Sequence, residues 1–312
     1  MSRYRFAPLV AALALLGVAP ACSQPFAPPQ ADFVAAAPAW TTFDFFRERS
    51  IFLPAVVNGQ PTQAMLDSGA GMTTLDAAFA RQLGVKPTGS ITLQAAGGPT
   101  PAQTASGVDI TAAGLHLKNV NVLILDLAPI GAQLGRPLSM ILGREVFEAA
   151  MVDIDFPDRK IAFHDPQTFQ APTRVSAVAL VSSMHGGRHL MVSIEGHPPV
   201  TADFDLGNTG AVLVSNAYGR ELGLLNDHAS SDTLAGGVGG MSVHDVAVLK
   251  RMTLGGFELR DVPALLNRVD DQEPRQGANI GMLVFSRFRL ITDYPHGRLL
   301  LGANAQSATG HV

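Results

Sequence analysis

The chain reads as an all-β protein of two similar lobes, and three observations carry that reading. Turn formers abound, with 31 Gly and 21 Pro in 312 residues, while aromatics supply only 6%. Small side chains and frequent turns suit strands better than a helical bundle. The length is comfortable for two units of roughly 100–150 residues each. Above all the sequence repeats itself, because a pattern centred on Asp67 returns around Asp205, 138 positions later.

Taken in order, the first unit opens on Ile51–Val57, an apolar run ending at Asn58-Gly59, the strongest short hairpin signal. A strand over residues 63–67 leads into Asp67-Ser68-Gly69. Met72 to Leu75 reads as a short apolar strand, and Asp76 to Leu83 as a helix of about two turns with Gly84 as its cap. The second unit repeats this with Asp205-Leu206-Gly207, Ser215 as the N-cap of its helix and Gly223 as the stop. The units also end alike. Ile141-Leu142-Gly143, Phe147 and Asp155-Phe156-Pro157 match Asn279-Ile280-Gly281, Phe285 and Asp293-Tyr294-Pro295 at the same offset of 138. In between, Gly114 matches Gly256 at 142, so insertions and deletions in loops cancel. Matched pieces in one order along both halves make the chain a tandem duplication. The expected division is a signal peptide at 1–21, a Pro/Ala-rich spacer at 22–47, lobe one at 48–165, a connector at 166–188, lobe two at 189–304 and a tail at 305–312. Within the connector, Val175 to Val181 has the character of a strand.

Charge and cysteine content narrow the function classes. Apolar residues at 47% against 15% charged exclude disorder as the main state. Twenty-two Lys and Arg against 26 Asp and Glu give −4 with no basic block, so no nucleic-acid partner is expected. A single Cys excludes a disulfide framework and a Cys-based structural zinc site. There is no HExxH helix and no GxSxG elbow. Gly236 to Gly240 precedes a strand-like segment and no Walker Lys follows, so it is not a phosphate loop. His185-Gly-Gly-Arg-His189 reads as a polar turn before the first strand of unit two, and Asp155 and Asp293 as turn residues. No cofactor and no metal are expected.

The N-terminus is an address. Arg3 and Arg5 precede the apolar run from Phe6 to Ala19, and Ala19-Pro20-Ala21 supplies a small-x-small cleavage pattern. The run falls short of the ~20 residues that span a bilayer. Cys22 follows directly and is a candidate for lipidation, although Leu is missing three places before it and Pro sits two before. The alternative is an ordinary cleaved leader that leaves one unpaired Cys. Either way the expectation is a bacterial, exported protein, periplasmic or held at a membrane only through that lipid, and a monomer.

The two Asp-x-Gly turns carry the chemistry. A carboxylate on a tight turn at a strand end is held by backbone and can be aimed, and the following Gly lets another group approach closely. If two such units pack about a pseudo-two-fold axis, their carboxylates meet there and share one proton. The ionised member then takes a proton from water while the protonated member polarises a carbonyl oxygen. On Leu66 to Ala70 (LDSGA), Phe204 to Asn208 (FDLGN) and the two apolar-Gly elements, the chain resembles the bacterial retropepsin-like aspartic proteases of the pepsin superfamily. The resemblance covers roughly residues 48–163 and 189–302. It implies a bilobal pepsin/retropepsin-like acid protease fold with short helices, and an endopeptidase acting on an extended peptide or protein. It also implies catalytic roles for Asp67 and Asp205, with Ser68, Gly69, Gly207, Asn208 and Thr209 supporting them. Leu142, Gly143, Ile280 and Gly281 would brace the loops. Covering hairpins would lie at Gln94 to Pro101 and Ala235 to Ser242, hinged at Gly97, Gly98, Gly239 and Gly240. The family places Ser or Thr after each Asp to bond across to the other loop. Ser68 can do this and Leu206 cannot, with Thr209 as the residue placed to compensate. Neither hairpin carries the usual Tyr. The alternative is a non-catalytic peptide- or partner-binding module on the same fold.

Overall fold

The computed structural model describes residues 15–18, 29–33, 40–95, 98–182, 187–225, 232–238, 240–268 and 277–304. Among these, strands form a ten-stranded, a six-stranded and an eight-stranded sheet. The expected first hairpin is present: Ser50–Val57 pairs antiparallel with Gln60–Leu66. Asn58 and Gly59 both take positive φ, +47° and +80°, as a tight primed turn between twisted strands requires.

The duplication is visible in the strand order. Lobe one runs Gly98–Ala112, Leu115–Leu125, Thr74–Asp76, Met140–Leu142, Gln60–Leu66, Ser50–Val57. Lobe two keeps that order with Gly240–Leu254, Phe257–Asn267, Val212–Val214, Ala278–Ile280, Val200–Phe204 and Arg188–Ile194. In each lobe the first and last of these also pair, so the sheet closes on itself. The short helices start and stop as their residues dictate. The Asp76 carboxylate takes the N–H groups of Ala78 and Phe79, so the helix Ala77–Gln82 begins one residue later than expected. Ser215 caps Asn216–Glu221 in the same way.

The six-stranded sheet joins the lobes. At its centre Met151–Asp155 pairs antiparallel with Phe288–Asp293, and Asp153 lies opposite Ile291, its own counterpart in the repeat. A residue can face its counterpart only where a pseudo-two-fold axis passes between them. Val175–Ala179, from the connector, extends this sheet by pairing with Arg298–Ala303. One apolar core runs through both lobes, with Leu66, Phe147 and Ile154 joined to Phe204, Phe285 and Leu290. Each such fully buried side chain contributes about 1.5–3 kcal/mol before ordering costs.

The stretch read as spacer is in part built into the body. Thr41–Thr42 pairs with Lys160–His164, and Asp44–Phe46 with Ser50–Val57. The physical reason is aromatic burial: Phe43 is buried and packs edge-on to Phe45 and Phe156. Gln30–Phe33 also pairs with Leu115–Leu125, and Leu15–Val18, inside the expected leader, pairs with Gly89–Ala95. Cys22 lies outside the described residues.

Candidate active site

The strands Gln60–Leu66 and Val200–Phe204 deliver Asp67 and Asp205 to the junction of the lobes. Each Asp loop is threaded by the apolar-Gly segment of its own unit. Leu142 C=O accepts the Asp67 N–H at 3.0 Å, and Ala70 C=O accepts the Arg144 N–H at 2.9 Å. In lobe two Ile280 C=O accepts the Asp205 N–H at 3.1 Å, and Asn208 C=O accepts the Met282 N–H at 2.8 Å. Gly143 and Gly281 are needed for space rather than for conformation, since both have negative φ. A Cβ on Gly143 would lie 2.6 Å from the Met72 carbonyl carbon, and one on Gly281 2.5 Å from the Gly210 oxygen.

The carboxyls meet. Asp67 Oδ1 accepts the Gly69 and Ala70 N–H groups at 2.8 and 3.2 Å, and Asp205 Oδ1 those of Gly207 and Asn208 at 2.9 and 3.1 Å. A Cβ on Gly69 would stand 2.5 Å from Asp205 Oδ1, and one on Gly207 2.4 Å from Asp67 Cγ. Each carboxyl therefore rests on the glycine of the opposite loop, and neither glycine has positive φ. Both side chains are buried at the crossing of the two loops. Burial, and after it the charge of Asp205, holds the Asp67 carboxyl well above the ordinary carboxylate range. Burial also holds Asp205 above the ordinary carboxylate range, with the Asn279 amide and the Asn208 and Gly207 N–H groups offsetting only part of that rise.

The two halves are not equivalent. Ser68 Oγ accepts the Leu206 N–H at 2.9 Å and donates to the Phe204 carbonyl at 3.2 Å, a tie from loop one to loop two. Leu206 has no hydroxyl to return and is buried in the core. Thr209 does not compensate: its Oγ1 is buried and has no hydrogen-bond partner among the described residues. Two polar residues missed by the sequence reading hold the loops instead. Glu145 Oε2 accepts both the N–H and the hydroxyl of Thr73, at 2.8 and 2.9 Å, and the Thr73 oxygen accepts the Gly143 N–H at 3.1 Å. In lobe two the Asn279 amide donates to Asp205 Oδ2 at 2.8 Å. The available signal for Asn279 was a lone amide in an apolar element whose counterpart is Ile141.

Both expected hairpins exist, Gly89–Ala95 with Gly98–Ala112 and Asp232–Gly237 with Gly240–Leu254. Gly97 and Gly239 fall outside the described residues, while Gly98 and Gly240 take φ of +116° and +139°. Val238, at the tip of the second hairpin, is buried in a lobe-one cluster with Ala70, Met72, Leu93 and Ala95. The hairpin of lobe two thus reaches across to lobe one. His185 lies outside the described residues, and His189 sits in the strand Arg188–Ile194 rather than in a turn, 3.6 Å from Asp203. Among the described residues no group of three or more His, Cys, Asp or Glu is placed to hold a metal, and no helix is long and apolar enough to cross a membrane.

Two closed lobes about a pseudo-two-fold axis, each presenting an Asp-x-Gly loop to the other, define a retropepsin-like fold. The aspartyl protease family model matches twice, over residues 53–146 and 190–284, and the chain belongs to that family. No curated protein matches. Among solved structures, a retropepsin-like aspartic protease from Rickettsia conorii is 15% identical, with 43% of this chain and 96% of that chain covered at a TM-score of 0.32.

Proposed function

We propose that this chain is an exported endopeptidase in which Asp67 and Asp205 together activate a water molecule against a peptide bond. The observation that supports this most is the pair itself: two buried carboxyls from opposite lobes, each seated against the glycine of the other's loop. The ionised carboxyl takes a proton from water as the oxygen attacks the peptide carbon. The protonated carboxyl donates to the carbonyl oxygen as negative charge develops there. Collapse of the tetrahedral species passes a proton to the leaving nitrogen, so one water is consumed and one acid and one amine are released. An extended peptide would lie between the lobes and pair with the hairpins by backbone. For it to enter, the Val238 tip must lift from lobe one.

The second reading, a peptide-binding module without catalysis, draws on Leu206, which leaves the tie between the loops one-sided. Incubating the purified mature protein with a mixed peptide library between pH 3 and 7 separates the two. Cleavage at acid pH is expected and rejects the binding module; binding without cleavage at any pH rejects the endopeptidase.

A further inference from the structure

Pseudo-symmetry makes the two carboxyls equivalent in the chain's design, and beyond the one-sided Ser68 tie their surroundings break that equivalence at the carboxyl oxygens themselves. In lobe one the residue beside the threading glycine segment is Ile141, fully buried and unable to donate a hydrogen bond. Its counterpart is Asn279, in the buried strand Ala278–Ile280. A buried amide in a three-residue apolar strand costs stability unless all its groups are used.

The orientation of that amide follows from a chain of donors that begins at a backbone N–H, a group that can only donate. The Gly210 N–H donates to Asn208 Oδ1 at 2.8 Å. That fixes the other end of Asn208 as Nδ2, which donates to Asn279 Oδ1 at 2.7 Å. Asn279 must then present its own Nδ2, which donates to Asp205 Oδ2 at 2.8 Å. The flip ambiguity that usually attends a side-chain amide is removed by this sequence.

Both oxygens of Asp205 are therefore already accepting, Oδ1 from two backbone N–H groups and Oδ2 from Asn279. A proton placed on Asp205 Oδ2 would face an N–H donor. Among the described residues only Oδ1 of Asp67 accepts from the backbone, and Oδ2 has no donor. We propose that Asn279 is a positioning residue which places the shared proton on Asp67 Oδ2 and keeps Asp205 as the ionised member. Resting on the dyad reading above, this assigns the roles within it: Asp205 takes the proton of the attacking water, and Asp67 donates to the peptide carbonyl. The other titratable and charged groups nearby are Tyr294, Arg188, Arg49 and Glu145. Tyr294 faces both carboxyls, Arg188 lies against the Tyr294 ring, and Arg49 is engaged with the Thr209 carbonyl. Glu145 is engaged with Thr73.

The test is a titration that does not depend on turnover. Full-length mature protein carrying ¹³C-carboxyl Asp is titrated by NMR, with the two resonances assigned through Asp67→Asn and Asp205→Asn. Asp205 is expected to ionise first in the wild type. In Asn279→Ile, which copies lobe one, the proton affinity of Asp205 is expected to rise about tenfold or more, one unit corresponding to about 1.4 kcal/mol. Asn208→Ala, which removes the anchor of the amide, should move it in the same direction, so a folding failure of one variant leaves the other decisive. The reciprocal Ile141→Asn should lower the proton affinity of Asp67. Asp67 ionising first, or an Asp205 midpoint unmoved in a folded variant, overturns the assignment. If the wild type cleaves no peptide yet titrates in this order, the protease reading fails while the assignment of the proton stands.

Discussion

Replacing Ser68 with Ala removes the one hydroxyl that ties the two Asp loops together. The side chain is buried, and its loss leaves the Leu206 N–H and the Phe204 carbonyl without their shared partner, at former distances of 2.9 and 3.2 Å. A buried polar group left unsatisfied costs about 1–3 kcal/mol. For the two groups together, with some relaxation, we expect about 2–4 kcal/mol, because Leu206 supplies no reciprocal tie to share the load. At this chain size that corresponds to a fall in Tm of roughly 4–16 °C. The measurement is thermal unfolding by circular dichroism, with Thr209→Val alongside as the control. Since the Thr209 hydroxyl has no partner among the described residues, its near-isosteric replacement should leave Tm unchanged or raise it slightly. A Ser68→Ala protein within about 2 °C of wild type, or a Thr209→Val protein destabilised as much as Ser68→Ala, would refute the one-sided tie.

Three further outcomes follow from the same contacts. Asp67→Asn should stabilise the protein near neutral pH by about 1–3 kcal/mol. The folded state holds the Asp67 proton more tightly than the unfolded chain, so wild type loses stability as pH rises from the unfolded value through the folded one. The gap should vanish below about pH 4 in urea unfolding measured across pH. Asp153 behaves oppositely: burial pushes it up, but hydrogen bonds from His164 and Arg289 outweigh that and lower it. Asp153→Ala should therefore cost about 3–5 kcal/mol at neutral pH, with the deficit shrinking as pH falls through the folded midpoint, in the same urea series. Val238→Asp should raise hydrogen exchange across residues 232–254 while exchange in the six-stranded sheet stays slow, because the tip can no longer bury itself against Met72 and Leu93.

The duplication, the first hairpin and the Asp-x-Gly loops are legible in the sequence because backbone geometry constrains them locally. Asn58-Gly59 admits few conformations other than a tight turn, and a Cβ at Gly143 or Gly281 would strike backbone. Phe43 and Phe45 are less legible, since a Pro/Ala-rich approach masks two aromatics whose partner Phe156 comes over a hundred residues later. Glu145 and Asn279 are hidden for a related reason. Asn279 is a lone amide in an apolar strand and Glu145 one of three charged residues in the short helix Arg144–Ala149, and the role of each depends on which loop folds over it. Thr209 illustrates the converse: it has the right chemistry three residues beyond Leu206, where the loops cross.

The most direct measurement is peptide cleavage at acid pH by wild type, Asp67→Asn, Asp205→Asn and the double variant, each shown to be folded, with pepstatin as inhibitor. If the two carboxyls act as a unit, wild type cleaves in a pepstatin-sensitive manner and each single variant loses roughly 10²–10⁴-fold, with the double no worse than either. Undiminished cleavage by either folded single variant would contradict a shared Asp67–Asp205 site.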